Sequence, residues 1–569
     1  MRMRHEALAA LTEHPYDVVV IGGGITGAGV ALDAASRGYS VALVEQADFA
    51  SGTSSRSSKL VHGGLRYLQN FDLGLVREAL LERQLMVRLA PHLVRPLPFV
   101  LPAFDGSRRP DRLTGIGLNM YDVMAAPSLR ARRSARRAAG GDGEADWSPA
   151  RHRLISGAEV TELLPAIASR HPSGGYLFYD CQTDDARLVL TVLGEAERFG
   201  AVCANRLRVT ELRAEPGQAR AVVVEDGEGG GTFEVRAENV VNATGVWADR
   251  IRPDELHTEA DVPRITPSRG THVTLRLQDL PLHAGAIVPV GDGRSIFALP
   301  WLGRTLVGTT DSAYDGDVDH VRPSARDIDY LLGAVNDFFG VSLGPGDASG
   351  AYAGVRPLVS SGDTRKSVDI SRKAELYETS SGLITITGGK LTTWRRMARL
   401  VVDRIVERDG REAPCRTHEI PLGAPVDAGA LPRVDGVLSD AYAMLAGRYG
   451  HAAEGVLRIA AATPGLEAAI VKGCPDLVAE AAFAAGHEQA RTVGDVLLRR
   501  TRLGLLAARE LTDAGATGPR SVAEAMAPVL GWNAARVDAE VVRFAAEADA
   551  EGLVAAPAGA AQRVNEATA

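Results

Sequence analysis

The order of apolar and polar positions near the start of the chain predicts two buried strands joined by a helix. The apolar run Asp17–Ile21 leads into a glycine-rich turn, a helix of small residues up to Arg37, and a second apolar run, Val41–Val44. Continuous apolar runs on either side of a helix are typical of parallel strands that are buried on both faces. We therefore expect a βαβ unit, preceded by a short leader helix in residues 1–15.

Further along the chain, the spacing of apolar residues separates helices from strands. Helices are predicted at 72–90, at 184–200, at 324–340 and from 392 onward. Strands are predicted at 202–240, where Gly-rich turns indicate a β-meander, at 240–243 and at 264–310. Residues 96–180 are expected to be irregular because prolines interrupt their short apolar runs.

Size and composition exclude several classes of protein. A chain of 569 residues is too long for one hydrophobic core. The formal charge of -8 argues against a nucleic-acid partner, and no apolar run approaches the roughly 18 residues that cross a membrane. Four widely spaced cysteines and the lack of a secretory signal favour the cytoplasm, with neither a disulfide framework nor a metal site.

The glycine-rich turn after the first strand has the pattern of a dinucleotide-binding loop. Gly22, Gly24 and Gly27 have the spacing that allows a tight turn, close approach of the backbone to a pyrophosphate, and close packing of helix on strand. The helix that follows offers unpaired amides and a partial positive charge to the phosphates. Glu45 ends the second strand, where its carboxylate can accept hydrogen bonds from ribose hydroxyls.

Two later segments favour FAD over NAD. The run Asn242–Gly245 ends a strand in a turn of small residues, so that Ala243, Thr244 and Gly245 let the backbone pass close to an extended cofactor. The turn Gly388–Thr393 opens a helix, and we expect Gly389, Lys390, Leu391 and Thr392 to face the flavin. Three separated cofactor segments suit FAD better than a compact NAD site.

Longer motifs carry a resemblance to one enzyme family. They are Ile21–Gly29, Thr53–Leu60, Val61–Leu68, Asp184–Leu188, Val241–Gly245, Gly308–Asp311, Gly354–Leu358 and Gly388–Thr393. With these motifs the chain resembles the aerobic, FAD-dependent glycerol-3-phosphate dehydrogenases of the D-amino-acid-oxidase-like flavoprotein group, over about residues 16–420. The string Ser57-Ser-Lys-Leu-x-His-Gly-Gly-Leu-Arg-Tyr-Leu68 is more specific than the nucleotide loop.

The resemblance implies an activity, partners and a location. It implies oxidation of sn-glycerol 3-phosphate to dihydroxyacetone phosphate, by hydride transfer to flavin N5, with the electrons passed to a membrane quinone. It also implies a cytoplasmic enzyme, peripheral on the inner face of the membrane, and we expect a homodimer. It adds Ser57, Ser58 and Lys59 to the cofactor-binding residues. An arginine-rich stretch at 130–143 is longer than the family leads us to expect.

These observations predict an α/β fold class with three domains. A Rossmann-like FAD-binding domain is joined to an antiparallel β-sheet substrate domain and to a C-terminal helical domain. The FAD-binding domain is expected to be discontinuous, at 15–95, 181–262 and 350–405. The substrate domain takes 96–180 and 263–349, and the helical domain takes 415–560, where Ala-rich amphipathic patterns replace strand signals.

A dianionic phosphate substrate with a secondary alcohol requires fixed positive charge and a base. The candidates to bind the substrate are Arg66, Tyr67, Arg356 and Arg372, and Arg356 is also assigned to catalysis. His62 or Lys390 is expected to accept the hydroxyl proton. In the alternative interpretations, His62 is a structural neighbour of the flavin and Lys390 supports the reduced ring.

Other functions are compatible with the same motifs. A glycerol-3-phosphate oxidase, which passes electrons to oxygen and makes hydrogen peroxide, shares this scaffold. A flavin dehydrogenase for another 2-hydroxy acid or amine, and an FAD-binding module without catalysis, are the remaining alternatives. Asp184, Asp185 and Arg187 are predicted to form a structural cap and salt bridge near the cofactor, and Thr309–Asp311 to form a turn at a domain interface.

Overall fold

The computed structural model describes residues 1–65, 72–104, 112–125, 150–215, 218–251, 264–291, 294–360, 374–379 and 381–556. The strands are β1 Tyr16–Ile21, β2 Val41–Val44, β3 Leu60–Val61, β4 Arg95–Ala103, β5 Arg153–Ser156, β6 Gly174–Gln182, β7 Val202–Ala204, β8 Leu207–Glu215, β9 Gln218–Asp226, β10 Gly231–Asn242, β11 Arg264–Arg276, β12 Gly285–Pro289, β13 Ser295–Trp301, β14 Arg304–Gly308, β15 Ser312–Ala313, β16 Ala348–Ser360, β17 Ala374–Glu378 and β18 Ile384–Gly388.

The helices occur in the α/β part and in the C-terminal part of the chain. They are α1 Arg4–Glu13, α2 Ile25–Ser36, α3 Leu73–Leu89, α4 Arg112–Ala125, α5 Gly157–Leu163, α6 Asp185–Arg198, α7 Ala325–Phe339, α8 Trp394–Asp409, α9 Ser439–Tyr449, α10 Ala453–Ala462, α11 Ala479–His487, α12 Val493–Arg499, α13 Leu503–Leu506, α14 Ala508–Thr512, α15 Gly518–Leu530 and α16 Ala534–Glu551.

The first sheet has a parallel centre in the order β18–β10–β1–β2–β7, with β17 antiparallel at one edge. Strand β10 has two roles. Its first half pairs with β9 in the predicted meander, and its second half pairs with β1. The order β1–α2–β2 confirms the predicted βαβ unit. Helices α2, α6 and α8 cover one face of the sheet with a large apolar core.

The second sheet has the order β15–β11–β14–β13–β12–β4–β6–β3, with β16 along β11 and β5 along β6. Every pairing in it is antiparallel except that of β12 with β4. Alternate side chains point to opposite faces of a strand. Thus Leu177 packs with α5 and α7 on one face, whereas Phe178 packs with the C-terminal helices on the other.

The sequence predictions of fold class and of most elements are confirmed. The helices predicted at 72–90, 184–200 and 324–340 correspond to α3, α6 and α7. Within the described residues after 415, the regular elements are helices, together with an isolated bridge between Ala469 and Leu477. For the described residues of 96–180 the prediction of irregular structure was wrong, because β4 pairs with β6 along all nine of its residues. Strand β12 pairs with β4 only at Phe99 and Val100, so the prolines of β4 lie outside that pairing.

In the part of the chain that the structure describes, none of the helices is long and apolar enough to cross a membrane. The arginine-rich stretch at 130–143 lies outside the described residues.

Candidate active site

The carboxyl ends of the parallel strands meet at one edge of the first sheet. Ile21 lies opposite both Val44 and Asn242, and Asn242 lies opposite Thr385. The segments that leave these ends are the ones predicted to bind the cofactor, with Gly22, Gly24, Gly27, Glu45, Ala243, Thr244, Gly245, Gly389, Lys390, Leu391 and Thr392. Ligands of open α/β sheets bind at this edge.

The backbone of the Gly22 loop fits a pyrophosphate group. Gly22 has φ +112°, which only glycine adopts readily, and a Cβ there would lie 2.7 Å from the Ala243 oxygen. A Cβ on Gly27 would lie 1.9 Å from the Gly22 oxygen. Gly24 is the N-cap of α2 and supplies no side-chain cap. Apart from the Ile25 amide, which donates to Ser54 Oγ, the first turn of α2 can direct its amides and its dipole at an anion.

Glu45 holds the turn around this loop. Its Oε2 accepts a hydrogen bond from the Gly23 amide at 2.6 Å, and its Oε1 accepts one from the Ala47 amide at 2.8 Å. Burial raises the pKa of this carboxyl above its ordinary value. A carboxylate has about four lone-pair sites, so Glu45 can still accept hydrogen bonds from ribose hydroxyls. Its binding of a ribose stays a prediction.

The segment 53–62 crosses from the first sheet to the second. Near its start, Ser54 Oγ accepts from the Ile25 amide at 2.9 Å, at the first turn of α2. Thr53 Oγ1 donates to the Val355 oxygen at 2.6 Å, one residue before Arg356. At its end, the His62 amide donates to Thr392 Oγ1 at 3.2 Å. The segment thus connects the pyrophosphate loop, the candidate arginine and the flavin-side turn.

The side chains of Ser57, Ser58 and Lys59 are turned into the protein. Ser57 Oγ donates to Asp185 at 2.7 Å, and Ser58 Oγ lies 2.9 Å from His272 Nε2. Lys59 is fully buried, and its Nζ donates to both Asp185 oxygens at 2.8 and 2.9 Å. The assignment of these three residues to the cofactor therefore stays a prediction that these side-chain contacts do not support.

Lys59 and Asp185 form an ion pair with an unusual charge balance. Burial, together with the neighbouring Arg502, lowers the pKa of Lys59 to about 7. Burial by itself would raise the pKa of Asp185, but Lys59 and Arg502 lower it below its ordinary value. One carboxylate is thus shared between two cations, which keeps Asp185 ionised and makes Lys59 easier to deprotonate.

Arg356 lies on β16, and the turn between β14 and β15 holds its guanidinium. Nη2 donates to Thr309 Oγ1 and to the Thr310 oxygen, both at 3.3 Å, and Nη1 lies 3.3 Å from Asp311 Oδ1. Gly270 provides the space, because a Cβ there would lie 2.8 Å from Nη2. The side chain is 28% exposed, so part of it reaches solvent.

His62 and Lys390, the two candidate bases, belong to segments that the fold brings into contact. Thr392 Oγ1 donates back to the His62 oxygen at 3.3 Å. The His62 ring is half-buried and lies edge-on to Phe297, with 6.3 Å between ring centroids. Lys390 precedes the turn Leu391–Thr393, and its oxygen accepts from the Thr393 amide at 3.1 Å. Residues 330 positions apart in sequence thus share one corner of the site.

Three predicted substrate residues, Arg66, Tyr67 and Arg372, lie outside the described residues. Two structural predictions are supported by the contacts. Asp184 caps α6 by accepting from the Arg187 amide at 3.3 Å, and Arg187 forms a salt bridge with Glu488.

Sequence reasoning missed His272, which lies on β11 within the electrostatic influence of Arg356. His272 is buried and stacked on Tyr352, with 4.7 Å between ring centroids. Burial, Lys59 and Arg356 lower the pKa of His272 well below its ordinary value, so the ring is neutral. The only sequence signal for His272 was its position within an apolar strand. That signal does not identify a functional residue, because a buried histidine often serves packing alone.

Comparison with known proteins identifies the family of the chain. Residues 17–404 match the family model described as FAD dependent oxidoreductase, and residues 384–537 match the C-terminal domain of alpha-glycerophosphate oxidase. The chain is 39% identical over 560 residues to glycerol-3-phosphate dehydrogenase 2 of Mycobacterium tuberculosis, covering 97% of this chain and 91% of that protein. It is 36% identical over 517 residues to the aerobic glycerol-3-phosphate dehydrogenase of Bacillus subtilis, covering 88% and 89%.

Solved structures give the same result for the fold. The glycerol-3-phosphate dehydrogenase from Bacillus halodurans, complexed with FAD, superposes with a TM-score of 0.75 at 28% identity, covering 96% of this chain and 97% of that one. The dithionite-reduced L-alpha-glycerophosphate oxidase from Mycoplasma pneumoniae, with FAD bound, has a TM-score of 0.52 at 18% identity, covering 71% and 97%. The second likeness concerns the fold alone.

Proposed function

Because the chain belongs to the FAD-dependent glycerol-3-phosphate dehydrogenases and oxidases, we propose that it oxidises sn-glycerol 3-phosphate to dihydroxyacetone phosphate and passes the electrons to a quinone. The protein is an oxidoreductase with FAD as its cofactor. The substrate, the acceptor and the roles of individual residues are the proposal.

One geometric observation supports the substrate more than any other. A single segment, 53–62, starts at the pyrophosphate loop and contacts the strand that carries Arg356. The same segment ends where His62 contacts Thr392. A candidate base and a candidate anion-binding fork therefore flank the same edge at which the dinucleotide loop lies. A small phosphate ester with an oxidisable alcohol matches this combination.

Each group has a distinct part in the proposed reaction. Bound FAD supplies the acceptor for the hydride that leaves the alcohol-bearing carbon. Arg356 holds the phosphate or the oxygen that becomes the ketone, since its fork donates in fixed geometry. His62 or Lys390 takes the hydroxyl proton as the hydride leaves, so that positive charge does not accumulate on the oxygen that becomes the ketone.

Anaerobic reduction of the flavin tests the substrate directly. Glycerol 3-phosphate added to the purified yellow protein without oxygen should bleach the flavin band, whereas glycerol and inorganic phosphate should not. If glycerol 3-phosphate leaves the band unchanged, the proposed substrate is wrong. A screen of 2-hydroxy acids and amines by the same assay then separates another dehydrogenase from a module without catalysis.

The two candidate bases can be distinguished by pH profiles. If His62 accepts the proton, kcat/KM of the wild type falls at acid pH and the fall disappears in His62→Gln but persists in Lys390→Met. If Lys390 accepts the proton, the fall at acid pH disappears in Lys390→Met and persists in His62→Gln. Two variants that both keep the wild-type profile and rate would exclude both residues as bases.

The electron acceptor distinguishes a dehydrogenase from an oxidase. We expect a soluble quinone analogue or a dye to be reduced by the substrate much faster than oxygen is consumed. Stoichiometric hydrogen peroxide in an aerobic assay, with no gain in rate from quinone, would instead assign the chain as an oxidase. The homodimer and the cytoplasmic location stay predictions, and the mass in solution by light scattering tests the first.

The outer face of α4 supports the proposed contact with a membrane surface. Ile116, Met120 and Val123 recur at helical spacing on that face and are exposed, Val123 at 71%. Val123→Asp should lower co-sedimentation of the protein with phospholipid vesicles. Val542→Asp is the matched control, because Val542 is 69% exposed on α16. Equal binding of both variants and of the wild type would exclude this face.

A further inference from the structure

The C-terminal helical part of the chain contributes three closely spaced arginines that are buried against the α/β part. Arg499 ends α12, and Arg500 and Arg502 follow before α13. Arg500 and Arg502 are both fully buried. Arginine is almost never fully buried without partners, so the contacts of this cluster indicate what the helical part does.

Arg502 contacts the segment 53–62 that borders the predicted flavin site. Its Nη2 donates to the Ser55 oxygen at 2.6 Å and to Asp185 Oδ1 at 3.0 Å. Its Nη1 donates back to the Leu498 oxygen at 2.6 Å, which fixes the side chain to the last turn of α12. The Ser55 oxygen also accepts from Lys59 Nζ at 2.6 Å. The cations Lys59 and Arg502, together with the carboxylate of Asp185, thus fix the middle of the segment 53–62.

The position of Ser55 makes this contact relevant to the cofactor. Ser54, the preceding residue, accepts from the Ile25 amide at the first turn of α2. A Cβ on Gly24 would lie 3.1 Å from Ser54 Oγ. A displacement of Ser55 would therefore be transmitted directly to the loop that fits the pyrophosphate.

Arg500 contacts the loop that follows Glu45. Its Nη1 and Nη2 donate to the two Asp48 oxygens at 2.7 and 2.9 Å, and Arg499 Nε donates to the same carboxylate at 2.6 Å. Asp48 is fully buried and lies three residues beyond Glu45. The paired guanidinium geometry fixes both distance and orientation.

We propose that Arg500 and Arg502 are positioning residues for FAD, Arg500 acting on the Glu45 loop and Arg502 acting on the segment 53–62. The helical domain then has a defined task beyond covering apolar surface, since it sets the spacing between the Glu45 loop and the segment 53–62. This inference depends on the FAD site and deepens the proposed function. It does not depend on the identity of the substrate.

The test measures release of FAD from the purified holoenzyme. After dilution, flavin fluorescence gives the dissociation constant for the wild type, Arg500→Met and Arg502→Met. Each substitution should raise this constant at least tenfold, and Arg502→Lys should lie between Arg502→Met and the wild type because lysine keeps the charge without the fork. The visible circular dichroism of the flavin should change in Arg502→Met more than in Arg500→Met.

Arg37→Met is the matched control for loss of a buried arginine. Its side chain is 1% exposed, pairs with Asp33 and Asp403, and lies at the far end of α2 from the pyrophosphate loop. It should lower thermal stability while leaving the FAD dissociation constant within twofold of the wild type.

Two results would overturn the proposal. One is an unchanged FAD dissociation constant in Arg500→Met and Arg502→Met, with a loss of stability like that of the control. The other, if the methionine variants do not fold, is an unchanged constant in Arg500→Lys and Arg502→Lys. Because no substrate is added, failure of glycerol 3-phosphate to bleach the flavin would leave this test intact.

Discussion

Substitution of Arg356 by alanine tests the assignment of the anion-binding group most directly. Four hydrogen bonds of its guanidinium, to Thr309, Thr310 and Asp311, are long, at 3.3 to 3.4 Å, and the side chain is 28% exposed. Their loss should therefore cost little stability. Asp311 keeps a hydrogen bond from Ser268 Oγ after the substitution.

The cost to the reaction should be much larger. A hydrogen bond to a charged group contributes about 1.5–3 kcal/mol. At ~1.4 kcal/mol per factor of ten, loss of one such bond lowers kcat/KM roughly ten- to 150-fold. Arg356→Lys should give an intermediate loss, because the charge remains but the two parallel donors do not.

The assay is steady-state dye reduction with glycerol 3-phosphate, together with the FAD content and the thermal midpoint of each variant. Arg269→Ala is the control. Arg356 lies opposite Ser268 on β11, so the next residue, Arg269, points to the other face, where it pairs with Asp327 at 2.9 Å. The reasoning is refuted if Arg356→Ala keeps kcat/KM within twofold of the wild type with FAD fully bound.

Two further predictions follow from the geometry. Gly27→Ala should abolish FAD binding, because the added methyl group would lie 1.9 Å from the Gly22 oxygen. Gly194→Ala is the control, since a methyl group added there, inside α6, would meet nothing within 4 Å outside its own helix. This variant should keep FAD and gain about 0.5–1 kcal/mol in free energy of unfolding, and an FAD titration checks the binding of both. The folded pKa of Lys59 is about 7 against an ordinary 10.5, so between these pH values the unfolded chain binds more protons and the Lys59 contribution to stability rises with pH. From pH 7 to pH 9, the free energy of unfolding of the wild type, measured by denaturation, should rise relative to that of Lys59→Met. If the difference between the two proteins stays constant, the lowered pKa of Lys59 is contradicted.

Much of the site could be predicted because its signals are local. The run Asp17–Ile21, the three glycines and Glu45 are consecutive parts of one βαβ unit, and each carries a requirement that only a few residue types meet. The order of the parallel strands then places the Gly388–Thr393 turn at the same edge as Gly22. Predictions of this kind depend on short-range periodicity and backbone conformation.

Other features became visible only in the tertiary structure. The nine-residue strand β4 was missed because its prolines suggested interruptions of a strand. Its neighbour β12 pairs with it only at Phe99 and Val100, so none of the prolines lies in that pairing. The burial of His272 against Tyr352 and Ser58 was also hidden, since a histidine in an apolar strand has the same local pattern whichever neighbours it meets.

The sequence by itself determined the fold class and predicted the dinucleotide loop, because these depend on glycines, apolar runs and caps whose effects act within a few residues. It also indicated FAD, through three cofactor segments that lie far apart in the chain. Tertiary structure alone decided that Arg502 reaches Ser55 and that Lys59 shares Asp185 with it. The physical reason is that a buried charge is stable only beside partners that chain folding supplies. Those partners lie hundreds of residues away, where no local pattern records them.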